Sequence, residues 1–108
     1  MAQLIWAPSA IKAIDEIADY ISKDSVLAAE NIVQLFIERA ELLLRFPEFG
    51  KPVPELNDRR IRELPASSYR IIYELSTADE IHILTVHHQA RLLKNNPVFK
   101  RKLRRKRQ

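Results

Sequence analysis

Apolar positions recur along this chain first with a helical period and then with a strand period. The opening segment, Gln3-Leu4-Ile5-Trp6, is short and apolar and is followed by Pro8. It reads as a strand, because a proline ends ladder pairing and can open a helix. Ser9 is positioned to cap the helix that follows. In that helix Ile11, Ile14, Ile17, Ala18 and Ile21 form one stripe, while Lys12, Asp15, Glu16 and Asp19 fall largely off it. Asp24-Ser25 then breaks the pattern, with Ser25 as the N-cap of a second helix from about Val26 to Arg45. Its stripe is Ala29, Ile32, Val33, Phe36, Ala40, Leu43 and Leu44, with Leu35 and Leu42 to one side. So wide an apolar arc packs against two neighbours or keeps a face for a partner. Phe46-Pro47 ends the helix, since the residue before a proline avoids the helical region. Two long helices with so short a break predict an antiparallel hairpin.

Residues 47–58 are rich in proline and read as a loop in which Gly50 alone has free access to positive φ. The period then changes to two, predicting three strands. Arg59–Leu64 alternates basic with apolar or acidic residues. Tyr69–Leu75 places Tyr69, Ile71, Tyr73 and Leu75 opposite Arg70, Ile72 and Glu74. Glu80–His87 places Ile81, Ile83 and Thr85 opposite His82, Leu84 and Val86, with both faces largely apolar, which predicts a central strand. Residues 65–68 and 76–79 are hairpin-length connections, so the three strands should be antiparallel neighbours. The predicted order β-α-α-β-β-β gives an α+β fold, a small antiparallel sheet with a helical hairpin on one face. Asn95-Asn96-Pro97-Val98-Phe99 offers a turn and an apolar anchor leading into a short helix.

Composition narrows the function classes. The chain has 108 residues, 46% apolar and 30% charged, which fits one globular domain, assigned here to residues 1–99. Without cysteine there is no disulfide framework, thiol nucleophile or cysteine-based metal site. A single glycine excludes glycine-rich phosphate loops. No apolar run is long enough for a membrane span, and no secretory signal is visible. The net charge of +4 hides an asymmetry: residues 100–107 hold seven basic groups, leaving eleven basic against fourteen acidic residues in 1–99. The protein is thus a mildly acidic body with a basic tail, residues 100–108. Such a tail suits non-specific nucleic-acid binding by counterion release, solubility, or ordering on an acidic protein.

Candidate chemistry is sparse. His82 and His88 are expected on one strand face and His87 on the other, and no carboxylate lies at short ligand spacing around His87 and His88, so no metal site and no cofactor is expected. Ser67 and Ser68 read as turn residues, and Asp15 and Asp19 as solvated helix charges. The basic residues are more informative. Arg60 and Arg62 should share a strand face, with Arg70 on the adjacent strand and Arg91 just past the last one. Such a guanidinium cluster fits a phosphodiester; cross-strand pairing with Glu63, Glu74 or Glu80 accounts for it equally well.

Five segments in order carry a family resemblance: Trp6-Ala-Pro-Ser-Ala10, Leu44-Arg-Phe-Pro-Glu-Phe-Gly50, Arg62-Glu-Leu64, Tyr69-Arg-Ile-Ile-Tyr73 and Val86-His-His-Gln-Ala-Arg91. Together they resemble the RelE/ParE toxin superfamily of bacterial type II toxin–antitoxin modules, over about residues 3–92, with the ParE branch favoured. The resemblance implies a cytoplasmic toxin neutralised by a cognate antitoxin that wraps it, with Ile32, Leu35, Phe36, Leu42 and Leu43 as the expected docking residues. For a ParE-like toxin it implies inhibition of DNA gyrase, with Arg62, Arg70, Arg91, Lys100, Arg101, Lys102 and Arg104 as target-binding residues. For a RelE-like relative it implies cleavage of mRNA in the ribosome, for which Arg60, Arg62, Arg70, Arg91 and His88 are the candidates. Cleavage needs a base, an acid and phosphate stabilisation, and only the last is evident in the sequence; no Tyr follows Tyr73. The gyrase reading is therefore preferred. A third reading is a non-toxic member that binds its antitoxin and co-represses.

Overall fold

The structure is a computed structural model that describes residues 2–76 and 79–99. Strand β1 (Gln3–Trp6) leads into helix α1 (Pro8–Ser22), which is followed by α2 (Val26–Arg45). Next come β2 (Lys51–Pro52), β3 (Ile61–Ala66), β4 (Tyr69–Leu75), β5 (Glu80–His88) and a 3₁₀ turn at Leu93–Asn95. The five strands form one sheet in the order β1-β5-β4-β3-β2. β1 runs parallel to β5, and every other pairing is antiparallel. The expected α+β sheet-and-hairpin architecture is present; β5 is an interior strand between β1 and β4, and β4 takes the middle position.

Both helices lie on one face of the sheet. Phe36, Ala40 and Leu43 of α2 and Ala10 of α1 are fully buried against Ile71, Tyr73, Ile81 and Ile83. Ser25 caps α2 by accepting the Ala28 N–H at 3.0 Å, as the sequence suggested. α1 differs: Ala7 occupies the cap position without a side-chain bond. Ser9 instead donates its hydroxyl to the Leu84 carbonyl at 2.6 Å, tying the first helical turn to β5. Ile11 and Leu44, assigned to the inward stripes, are 50% and 40% exposed.

Three strand details depart from the sequence reading. β3 starts and ends two residues later than expected and includes Pro65. Pro65 is tolerated because β2 pairs only with Arg62 and Glu63, so beyond them the outer edge of β3 owes no hydrogen bond. The β3–β4 connection shrinks to Ser67-Ser68, with Ser67 at φ 58°. Gly50 does not adopt positive φ. Its lack of a side chain serves a close approach instead: a Cβ would lie 2.5 Å from the Glu63 carbonyl oxygen and 2.7 Å from the Tyr73 hydroxyl.

The third departure concerns β5. Ile72 pairs with Thr85 while Tyr73 pairs with Ile83, so Leu84 is an extra residue in the strand. Such a bulge breaks the two-residue alternation. Val86, not Thr85, therefore joins Ile81 and Ile83 on the helix face. The histidines change partners too: His88 packs edge-on against Tyr69 on the helix side, with ring centroids 5.2 Å apart. His82 and His87 fall on the other face.

That other face is not bare. Ile72 and Ile61 pack there with Val53 and Leu56 from the loop around β2. Leu93 and Phe99, each 1% exposed, close this second core from the C-terminal side.

Candidate functional site

The basic residues singled out in the sequence are placed in separate environments. Pairing of Arg62 with Tyr73, and of Pro65 with Arg70, fixes their faces. Arg62 lies on the helix side and Arg70 on the opposite side, so the expected cluster does not form. Arg60 precedes β3 and is exposed, with its Nε 3.6 Å from Asp58. Its carbonyl accepts from Leu75 N–H, at the far end of β4 from Arg70. Five residues of strand separate those ends, about 17 Å.

Arg70 is committed to carboxylates. Its Nη1 and Nη2 meet the two oxygens of Glu55 at 3.2 and 2.6 Å, and Nη1 also donates to Glu63. The Arg70 side chain is only 12% exposed. The hydrogen bonds to Arg70 hold the Glu55 carboxyl below the usual carboxylate range, and Glu55 in turn pushes the guanidinium pKa up. With two carboxylates on one guanidinium, no positive charge is left to receive a phosphate.

Arg62 has no carboxylate partner among the described residues. Its Nη1 donates to the Gly50 carbonyl at 2.9 Å and the Glu48 carbonyl at 3.4 Å, and its Nε to the Arg59 carbonyl at 3.2 Å. Beside it the Tyr73 hydroxyl accepts from Gly50 N–H and donates to the Pro47 carbonyl, both at 2.9 Å. Burial pushes the Tyr73 pKa up, so this hydroxyl stays protonated. Arg62 and Tyr73 together fix the turn at residues 46–50, and this turn presents Phe46 and Phe49 outward, 56% and 58% exposed.

His87 joins the C-terminal segment to the sheet. Its Nε2 donates to the Arg91 carbonyl at 2.9 Å, and its Nδ1 accepts from the Asn96 side-chain amide at 3.0 Å. These partners require the neutral ring, and burial lowers its pKa in the same sense. His88, the candidate acid or base, accepts the Ala90 N–H on Nδ1 at 3.1 Å, which shapes the turn after β5. Arg91 is exposed beside it. Arg60, Arg62, Arg70, Arg91 and His88 are thus not brought to one site. Among the described residues no group of three or more histidines and carboxylates could hold a metal ion, and no helix is long and apolar enough to cross a membrane.

Of the expected docking residues on α2, Phe36 and Leu43 have no exposed surface and belong to the core. Ile32 and Leu35 are half-buried against that core, and Leu42 is exposed. The outward apolar surface of α2 is carried by Val26, Leu27, Ile37 and Leu44, which the stripe did not single out for that role. Lys100, Arg101, Lys102 and Arg104 lie outside the described residues. Sequence reasoning also missed Glu55 and the His87–Asn96 pair. Glu63 was named among possible partners, and the short hairpin that makes it a diagonal neighbour of Arg70 was the available signal.

Comparisons with known proteins agree with this fold. Residues 4–93 match the family model described as the ParE toxin of type II toxin–antitoxin system, parDE. A protein named Toxin RelE2 from Caulobacter vibrioides is 32% identical over 92 residues, covering 85% of this chain and all of that protein. A putative toxin, Y4kP, from Sinorhizobium fredii is 31% identical over 85 residues, covering 77% of this chain and 83% of that protein. A solved chain from the chromosomal ParDE system of P. aeruginosa superposes with a TM-score of 0.68 at 23% identity, over 82% of this chain and 96% of the other. The sheet, the helical hairpin and these matches place the chain in the ParE toxin family of the RelE/ParE superfamily, as a toxin of a type II toxin–antitoxin system.

Proposed function

We propose that this toxin acts in the cytoplasm by binding DNA gyrase and blocking it, and that a cognate antitoxin neutralises it. One observation carries the preference for a binder over a ribonuclease: Arg70, one of the phosphate-ligand candidates of the sequence, is spent on Glu55 and Glu63. An acid, a base and a phosphate clamp must converge on one phosphodiester for RNA cleavage. Here the guanidiniums and His88 are spread over two faces and both ends of the sheet. A toxin that blocks by occupancy needs no such convergence. Arg91 and the basic residues of 100–107 supply the target-binding charge in this reading, and residues 1–99 act as the unit that presents them.

The antitoxin docks on the outward apolar surface of α2, including Leu42, and on the half-buried margins at Ile32 and Leu35. The test is DNA supercoiling by purified gyrase titrated with the toxin. Inhibition that is reversed by the antitoxin is expected. Unimpaired supercoiling at large toxin excess, together with new 5′ ends in translated mRNA after induction, would replace this reading with the ribonuclease one.

A further inference from the structure

A cleft of about 650 Å³ opens where α2 ends and the sheet begins. Its apolar wall is made by Phe46 and Phe49, with ring centroids 6.5 Å apart, and by Leu75. Its polar lining includes Glu48, Asp79 and Glu80, and among the described residues no lysine or arginine contributes to it. Glu80 is engaged by His82 at 3.0 Å. Glu48 and Asp79 are exposed and have no ion-pair partner among the described residues. Two outward phenyl rings held by the Arg62–Tyr73 bracket, next to two uncompensated carboxylates, form a receptor for an aliphatic side chain carried between cations.

The chain itself contains such a segment. Residues 100–107 read Lys-Arg-Lys-Leu-Arg-Arg-Lys-Arg, with Leu103 between Lys102 and Arg104. Reach decides whose cleft it can enter. Leu103 is four residues past Phe99, at most about 14 Å of extended chain. Phe99 is buried in the second core, on the face of the sheet opposite the helices. The cleft is lined by Ala2, Leu75 and Ile81, which pack on the helix side. A path in the same molecule would have to round the sheet within that length.

We propose that the basic C-terminal segment of one copy docks in the phenylalanine-walled, acid-rimmed cleft of a second copy, and that a reciprocal exchange closes a two-fold dimer of the free toxin. Leu103 fills the space between the two rings, and the flanking cations face Glu48 and Asp79. Mutual exchange satisfies both clefts and avoids the open chains that a one-way contact would build. The tail cannot serve a target and a second copy at once, so self-association competes with toxicity.

Sedimentation of the intact chain tests this. At about 50 mM salt the protein should pass from monomer to dimer as its concentration rises, and about 0.5 M salt should shift it back. The double variant Glu48→Lys, Asp79→Lys should be monomeric, as should Leu103→Asp; Glu48 and Asp79 are exposed, and unchanged circular dichroism checks the fold of each variant. Mixing the lysine double variant with a chain carrying Arg101→Glu, Arg104→Glu and Arg105→Glu should restore a dimer that neither forms alone. A wild-type chain that stays monomeric at every concentration overturns the proposal, whether the cleft then serves the chain's own tail or a different protein. A dimer that survives both sets of substitutions overturns it as well. Gyrase inhibition is not read in this experiment, so its failure leaves the functional reading untouched.

Discussion

Replacing Tyr73 with Phe removes one oxygen atom from a side chain with no exposed surface. The ring stays in the core, so the apolar burial term is unchanged. What is lost is the bracket on the turn at 46–50: the bond accepted from Gly50 N–H and the bond donated to the Pro47 carbonyl, each 2.9 Å long. A hydrogen bond contributes about 0.5–1.5 kcal/mol net, and a buried donor left without a partner adds its desolvation cost. Gly50 is buried, so its amide finds no replacement water without local opening. The expected loss is about 2–3 kcal/mol. Urea unfolding followed by circular dichroism should show the midpoint lowered by about 1–2 M with an unchanged slope. Amide exchange at Gly50 should accelerate in the variant while exchange in α2 follows global stability. A loss below about 0.5 kcal/mol, or an unprotected Gly50 amide in the wild type, would refute the assignment of Tyr73 as the clamp of this turn.

Other substitutions probe the remaining parts of the account. Phe36→Ala should destabilise by about 3–5 kcal/mol, because the ring is wholly interior; a smaller loss in calorimetry would return Phe36 to the list of docking residues. Ser25→Ala removes the cap bond to Ala28 and should cost about 1 kcal/mol, read as a lowered melting temperature. His87 gives a pH dependence whose sign follows from its depressed pKa. The folded state favours the neutral ring, so the stability it contributes is complete above the unfolded value near 6.5 and is lost as pH falls through the lower folded value. The ring faces Arg70, Glu55 and Arg91, and protonation would break the bond from Asn96. Amide protection at Leu93–Asn95 should therefore fall on acidification in the wild type, and His87→Gln should flatten that dependence.

The helices were legible because a 3.6-residue apolar period on polar ground has one interpretation. Ser25 and Pro47 marked the limits of α2 through chemistry that needs no tertiary context. The sheet was legible in outline, since Tyr69–Leu75 sets Tyr69, Ile71, Tyr73 and Leu75 on one apolar face, with only Ile72 apolar on the other. The bulge at Leu84 was not, because apolar residues on both sides of β5 leave the period no contrast to break. From that point the histidine faces could not be read. Arg62 and Arg70 were grouped as residues of adjacent strands. Whether they share a face depends on the parity set by the two-residue turn at Ser67-Ser68, and Pro65 disguised that turn as a longer loop. Glu55, fifteen residues from Arg70 and in no regular element, carries no local signal of its partner.

The central claim is that the far-face arginine belongs to the architecture, and one variant set addresses it directly. Arg70→Met alone strands Glu55 and Glu63 and should destabilise by about 2–3 kcal/mol, less than a fully buried pair because Glu55 is partly open to water. Adding Glu55→Gln and Glu63→Gln removes the stranded charge and should recover most of that loss. Growth after induction of the triple variant, with folding verified by thermal denaturation, is the measurement: full growth arrest is the predicted result. A folded triple variant that no longer arrests growth would contradict the account and return Arg70 to the reacting centre.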